Sequence, residues 1–382
     1  MENNFITIKK GIGINPLGLF PSEENQRYAS PCHQLSINAK GDWAGNIEPE
    51  LWKRVDQYIQ GEGHKAERFP SEARLLSYLI QKMDLKAHPH QMINAATSRG
   101  SIDYLVQTQR KHSKLPVWTS PHSTLGFASS WPGLLHSSKS PLFFQSSTCS
   151  SFGLTLQNAF AWLNSGMAED FIAAAVECPT GPLTIDQMKS IRIYAPFGNE
   201  IDYPSRSMDF NKAQNTMVLG EGAYAFQLSK DKGEGLALLK GVGSSIEKIH
   251  HSTELSPNGN CIVGAAQKAM DMAEISHVDM IIGHFPGTKL GDLAEKTAYE
   301  RVFGDKVPYT ISNKWKVGHS LGSSLAANLD QAISILQGQY LPEMPNYVPI
   351  PKNVPDKIEN ILITALGFGG QAISAVVGNM EG

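Results

Sequence analysis

Cysteine is scarce in this sequence. Four occur in 382 residues, at Cys32, Cys149, Cys178 and Cys261. No two stand in CxxC spacing, which excludes a disulfide framework and the usual zinc cluster. A reduced, cytoplasmic protein is the reading that fits. No run of about 18 apolar residues is present, so no membrane span is expected. The opening "MENNFITIKKGIG" has no long apolar h-region and does not read as a signal peptide. Net charge is only −3, from 33 basic and 36 acidic side chains. That gives no global electrostatic case for nucleic acid or an anionic membrane as partner. The glycine-rich turn "LGFGGQA" at 366–372 lacks Walker or dinucleotide spacing and has no helix after it, so it is not a phosphate loop.

What is present is an ordinary packed composition, 41% hydrophobic and 18% charged, in a chain long enough for two structural units or one large fold. Residues 5–10 suit a strand followed by a Gly/Pro turn. Residues 71–84 read as a helix capped by Ser71, with Leu75, Leu76, Leu79 and Ile80 on one face. Residues 141–148 are extended. A helix over about 150–165 ends at Gly166. "DFIAAAVE" at 170–177 is continuous and apolar, as expected of a strand buried on both faces. Residues 217–230 read as a further strand.

The second half repeats this plan. "LALLKGVGSS" echoes "ITIKKGIGIN". The helix before "VDMIIGH" echoes the helix before "HQMINAA", and the last strands echo 170–177 and 217–230. Three echoes in one order predict an α/β fold built from two duplicated βαβαβ-type halves, with helices covering sheets. With no clear linker, the halves are expected to be fused, as 1–234 and 235–382.

Cys149 is the first chemical candidate. A lone thiol at the start of a core helix is most often a small buried hydrophobe. A helix N-terminus also carries roughly half a positive charge and free N–H groups, which can lower a thiol into the range of about 3.5 to 7.5. The small residues Ser146, Ser147, Ser150 and Ser151 around it leave room for a substrate. His284 and His319 both end extended segments at Gly-containing turns, where α/β folds present catalytic groups. Lys314 precedes His319 by five residues. Each alone is more simply a hydrogen-bonded loop residue; with Cys149 they form a constellation.

These segments resemble, in order along nearly the whole chain, those of the β-ketoacyl-acyl carrier protein synthases, condensing enzymes of the thiolase-like superfamily. "GIGINPLG", "SSTCSSFGLTLQNAFAWLNSG", "VLGEGAYAFQL", "GHFPGTKLGDLAE", "NKWKVGHSLGSSLAAN" and "GFGG" carry the resemblance. It implies a layered α-β-α-β-α fold. It implies decarboxylative Claisen condensation of a malonyl-acyl carrier protein with an acyl chain held on Cys149, extending a fatty-acid, polyene or polyketide chain. His284 and His319 would flank the thiol, and Lys314 would hold the histidines electrostatically. The N–H groups of Cys149 and Phe368 would form the oxyanion hole, and Phe368 would gate the acyl pocket. Thr288 would bind the pantetheine arm, with Gly367, Gly369 and Gly370 forming a substrate-facing wall. Lys65 and Arg68 would dock the acidic carrier protein, with 109–114 as a second candidate. No metal and no cofactor beyond the carrier's own phosphopantetheine is implied. A homodimer, or a heterodimer with a second ketosynthase-like subunit, is implied, with 141–147 near the two-fold interface.

The sequence departs from the family pattern in places. Where the family reads His-Gly-Thr-x-Thr, this chain has His284-Phe285-Pro286-Gly287-Thr288, which puts one pantetheine bond in doubt and places a bulky ring where the donor channel is expected. The charged Arg-Pro-Phe-Asp and Arg-Asp-Gly segment is largely lost in "SRSMDFNKAQNT". Gln371-Ala372 replaces Thr-Asn. These point to a specialised, secondary-metabolism branch. Two other readings stay open: a chain-length-determining partner subunit of a ketosynthase heterodimer, and a Cys-His hydrolase that releases acyl chains. Such partner subunits generally lose the cysteine, which this chain keeps.

Overall fold

The computed structural model describes residues 4–24, 27–85, 89–136, 142–196, 202–251, 254–349 and 353–380. Ten strands join one mixed sheet. They are β1 (Ile6–Asn15), β2 (Gln91–Ala96), β3 (Leu142–Gln145), β4 (Asp170–Glu177), β5 (Gly222–Ser229), β6 (Ala237–Ile246), β7 (Met280–Ile282), β8 (Tyr309–Ile311), β9 (Asn360–Gly367) and β10 (Gln371–Gly378). An eleventh, Gly18–Pro21, hairpins onto β1.

The order across the first half is β3-β2-β4-β5-β1, and across the second β8-β7-β9-β10-β6. In each half the second strand pairs parallel with the third and the fourth. In each half the fourth–fifth and fifth–first pairs are antiparallel. The same five-strand unit therefore occurs twice, and β1 meets β6 antiparallel over Ile6–Ile8 and Ala237–Leu239. The echoes read from sequence are this duplication.

Two-faced burial sets the layers. Along β4 the side chains alternate between two cores: Phe171, Ala173 and Ala175 face a central one, while Ile172, Ala174 and Val176 face an outer one. β9 alternates likewise, with Ile361 and Ile363 central and Leu362 and Leu366 outer. The period of two forces this split, and a strand buried on both faces must be apolar throughout. Seven helices supply the cover: α1 (Pro49–Gly61), α2 (Ser71–Lys82), α3 (Phe127–Leu135), α4 (Ser151–Ser165), α5 (Asn260–Met272), α6 (Lys289–Phe303) and α7 (Ser324–Gly338). Phe152 and Leu156 of α4 and Leu325 and Leu329 of α7 lie in the central core between the half-sheets. Leu51, Val55, Leu75 and Leu79 of α1 and α2 cover the first half. Ile262, Ala265 and Ala298 of α5 and α6 cover the second. A Cβ at Gly243 on β6 would lie 2.2 Å from the Ala265 carbonyl oxygen, so that glycine lets α5 rest directly on the sheet.

Two local expectations need correction. Ser71 is the first helical residue of α2, not its cap; Pro70 holds the cap position, and Ser71 Oγ instead accepts from Arg74 Nη2 at 3.2 Å. Proline fixes the extended entry but has no side-chain oxygen to accept from the first-turn N–H groups. The strand expected over 217–230 begins only at Gly222. Met217 and Leu219 instead make isolated bridges to Tyr194 and His319. The interface segment 141–147 is the edge strand β3 over Leu142–Gln145, all half-buried; Pro141 lies outside the described residues.

Candidate active site

α4 ends as its sequence predicts, with Gly166 left-handed at φ 77°. Its start differs. Ser150 is the cap and Cys149 precedes it, on a tight turn in which Thr148 takes φ 48°. A β-branched residue in that region is strained, and such strain persists only where surrounding structure holds it. The neighbouring serines supply the hold. Ser150 Oγ donates to the Ser147 carbonyl at 2.7 Å and Ser151 Oγ to the Thr148 carbonyl at 2.6 Å, while the Ser147 N–H donates to Ser151 Oγ at 2.8 Å. Ser150 and Ser151 are buried and do not line the cavity. Their expected role of leaving room for substrate gives way to one of fastening the turn that presents Cys149.

His284 follows β7. Its N–H and that of Phe285 donate to the Glu295 carboxylate on α6, at 2.6 and 2.5 Å, and Tyr299 Oη donates to the same group at 2.6 Å. His319 sits between Gly318 (φ 81°) and Leu321 (φ 40°), and its N–H donates to the Val218 carbonyl at 2.7 Å. The two imidazoles meet edge to face, with centroids 4.8 Å apart and planes at 84°. One donor atom each of Cys149, His284 and His319 lies within 4.8 Å of the others, and all three residues are buried. Among the described residues, Nδ1 of both histidines is buried without a hydrogen-bond partner.

Electrostatics corrects the expected thiolate. Burial, then the Glu177 carboxylate, push the Cys149 thiol up to about 12, against weaker pulls from Lys314 and Arg99. Desolvation outweighs the helix N-terminus, so the resting group is a thiol. Burial lowers His319 to about 3 and holds His284 well below the usual range, with Lys314 adding to both. Both imidazoles are neutral at pH 7. Burial brings Lys314 down to about 7 and Glu295 up to about 7.

Cys149, His284 and His319 lie on a cavity of about 300 Å³. Met188, Met217 and Leu321 make much of its apolar wall; Thr288, Gly367 and Phe368 also line it. Phe368 is 42% exposed, so its ring reaches solvent from the cavity rim. A Cβ at Gly367 would lie 2.2 Å from Thr148 Oγ1, and Thr148 Oγ1 donates to the Phe368 carbonyl at 3.3 Å. The turn at 367–370 thus packs on the nucleophile turn. Gln371 joins it, accepting from Ser147 Oγ at 2.6 Å.

Other expected positions lie elsewhere. Gly369 and Gly370 do not line the cavity. Gly370 accepts the Glu247 N–H at 2.9 Å and anchors the hairpin. Phe285 does not intrude on the donor side: it is 1% exposed and packs outward against Tyr299 and Phe210. A φ of 29° turns its side chain away from His284, and Pro286 faces the cavity instead. Lys65 and Arg68 are exposed but do not line this cavity; Arg68 borders a separate polar one, stacking on Trp118 at 4.8 Å. Lys111 and His112 of 109–114 border that polar cavity too. Sequence reasoning missed Glu295 and Asn328. Their signal was a polar residue inside a buried helical stretch.

Comparison with known proteins follows the same lines. Residues 236–348 match the family Beta-ketoacyl synthase, C-terminal domain. The chain is 23% identical over 359 residues to a Streptomyces cyaneus protein named as a polyketide beta-ketoacyl synthase 1, covering 86% of this chain and 83% of that one. It is 24% identical over 310 residues to 3-oxoacyl-[acyl-carrier-protein] synthase 2 of Mycobacterium bovis, covering 75% and 74%. Its fold matches a chain of the complex of a type II PKS acyl-carrier protein with its ketosynthase, at TM-score 0.82 and 18% identity, over 98% of this chain and 99% of that one. It also matches a chain of the complex of the ketosynthase ApeO with its chain length factor ApeC from Xenorhabdus doucetiae, at TM-score 0.77 and 20% identity, over 98% of both chains. The fold is thiolase-like. Among the described residues no helix is long and apolar enough to cross a membrane.

Proposed function

We propose that this chain, which belongs to the β-ketoacyl synthase family, catalyses decarboxylative Claisen condensation of a malonyl-carrier thioester with an acyl chain held on Cys149. One observation carries the reading: a buried thiol faces two neutral imidazoles across an apolar cavity. Acyl transfer needs a nucleophile that is also a good leaving group, and sulfur is both. The Cys149 thiol gives up its proton as it attacks the donor thioester, and the pantetheine sulfur leaves. The N–H groups of Cys149 and Phe368 take the oxyanion, each such donor being worth about 3 kcal/mol. In the second half-reaction the malonyl carboxylate departs as carbon dioxide. The enolate oxygen needs neutral N–H donors, and His284 and His319 present them. The enolate carbon then attacks the Cys149 thioester, releasing the thiolate. No cofactor takes part beyond the carrier's pantetheine arm, which Thr288 binds.

The carrier protein, a second ketosynthase-like subunit and a cytoplasmic location complete the proposal. The similarity to a chain of a ketosynthase–chain length factor complex, and the half-buried edge strand β3, support such a subunit. A chain-length-determining role for this chain itself is the alternative; the retained thiol with both histidines beside it favours the catalytic one. Incubation with an acyl-carrier thioester, followed by peptide mass spectrometry, tests the first half-reaction. An acyl adduct at Cys149 is expected, and its absence with all carriers and partner subunits tried would exclude the proposal.

A further inference from the structure

The active-site cavity has one wall built from two distant segments. Asn215 and Met217 line it from the irregular stretch 205–217, and Pro286, Thr288, Leu290 and Gly291 line it from the turn after β7 and the start of α6. Hydrogen bonds stitch the two together. Thr216 donates to the Gly287 carbonyl twice, from its N–H and from Oγ1, both at 2.9 Å. Ser207 Oγ donates to the Phe285 carbonyl at 2.6 Å, and the Lys289 N–H donates to Asn215 Oδ1 at 2.8 Å. Gly287 takes φ 85°, and a Cβ there would lie 3.1 Å from the Thr216 carbonyl oxygen, so the two backbones meet with no side chain between them.

A buried ion pair stands behind this seam. Lys212 Nζ lies 2.7 Å from Asp292 Oδ2, and the side chains are 2% and 0% exposed. Nζ also donates to the Asp209 carbonyl at 2.8 Å. Asp292 sits in the first turn of α6, where a carboxylate is favoured. It reaches both segments: Oδ2 accepts the Met208 N–H and Oδ1 the Gly287 N–H, each at 3.0 Å. Its own N–H donates to the Thr288 carbonyl at 3.0 Å.

We propose that Lys212 is a positioning residue that, through Asp292, clamps 205–217 against the 285–288 turn and so sets the wall that takes the pantetheine arm. Lys212 does not itself line the cavity, so it acts through its partner. A carboxylate buried without a cation is costly, and a paired one stays where all of its donors are satisfied. Asp292 has three: the Lys212 amine and the N–H groups of Met208 and Gly287. Moving either segment would break at least one of these bonds, so the pair fixes their register. The register matters because Pro286 has no N–H to offer the arm. Binding on this side falls to Thr288, whose carbonyl and whose neighbour Gly287 are both held by Asp292. This inference rests on the cavity being the pantetheine site proposed above.

The test is protection of Cys149 from iodoacetamide by S-methylpantetheine, read by peptide mass spectrometry on the full chain. The thioether has no thiol to consume the reagent, and the assay needs neither carrier protein nor condensation. A chain that binds the arm but does not condense would keep this inference and lose the reaction proposed above. The wild type should be protected in a saturable way. Lys212→Met should raise the half-protecting concentration about tenfold, as a loosened wall must be reordered on binding. Its alkylation rate without the protecting compound should stay within about twofold of wild type, because the turn that presents Cys149 is untouched. Thr216→Val removes the hydroxyl bond to Gly287 and leaves no charge unpaired. It should raise the half-protecting concentration about threefold, and it decides the matter if Lys212→Met does not fold. Phe285→Ala is the structural control: it loses packing in the same turn and should leave the half-protecting concentration in place. An unprotected wild type, wild-type protection in folded Lys212→Met or in Thr216→Val, or an equal rise in Phe285→Ala overturns the proposal.

Discussion

The rings of His284 and His319 stand at 84° with centroids 4.8 Å apart, both buried beside Cys149. That arrangement sets two imidazoles toward one small volume, as stabilising a single oxygen requires. Replacing either histidine by alanine should reduce condensation by about 10² to 10⁴-fold, the range for such proton donors. Steady-state rates of the two variants measure it; a loss under tenfold in both would remove them from the chemistry.

Neutral histidines also couple folding to pH. Unfolded imidazole titrates near 6.5, while His319 is lowered to about 3 and His284 lies well below its usual value. The unfolded chain therefore binds more protons below about 6.5, and stability contributed by these groups is full above that and lost as pH falls toward about 3. Thermal unfolding should show Tm falling from pH 7 to pH 5, with a shallower slope in His319→Asn.

Lys314 runs along a different window. Its folded value is about 7 against about 10.4 unfolded. Between these the unfolded state holds the extra proton, so Lys314 lowers stability progressively as pH drops from about 10.4 to about 7. Lys314→Met should raise Tm at pH 7.5 while lowering activity, as expected of a buried amine kept for function. A fall in Tm would show that its hydrogen bonds to Asn313 Oδ1 at 3.0 Å and Asn328 Oδ1 at 2.8 Å outweigh its desolvation.

Gly367 admits no side chain. The added Cβ of Gly367→Ala would lie 2.2 Å from Thr148 Oγ1 and push on the turn that presents Cys149. Acylation should slow by about 10²-fold, the cost of an ångström-scale misplacement. Stopped-flow acylation with Tm as control measures it, and an unchanged rate would mean the turn relaxes freely.

Phe285 serves packing. With its ring enclosed among Tyr299 and Phe210, Phe285→Ala should cost about 3 kcal/mol or more of stability. Denaturant unfolding measures it. The KM for the malonyl donor should change little, because the side chain points away from the cavity.

Much of this was legible in the chain because it rests on periodicity. The apolar run 170–177 has to be buried on both faces, and the echo of 6–15 at 236–245 reflects a duplicated strand order. Cys149, His284, His319 and Lys314 stand out by residue type at the ends of elements. What could not be read depends on three-dimensional direction. Phe285 looks like an obstruction in sequence, and only its positive φ turns it outward. The serines around Cys149 look like open space and are hydrogen-bonding struts. The thiol's charge state follows from burial and from Glu177, which is 28 positions away in sequence. Asn328 is silent in sequence, because its amide N–H₂ is held by the carbonyls of Ile282 and Gly283 at the end of β7 and of Thr364 in β9.

The central claim is tested most directly by loading Cys149 with an acyl chain, adding carboxyl-labelled malonyl-carrier protein, and following label and chain together. The account predicts labelled carbon dioxide, loss of the Cys149 adduct, and a carrier-bound β-keto product two carbons longer, all in equal amount. Discharge of the adduct as free acid, with label retained on the malonyl group, would contradict it.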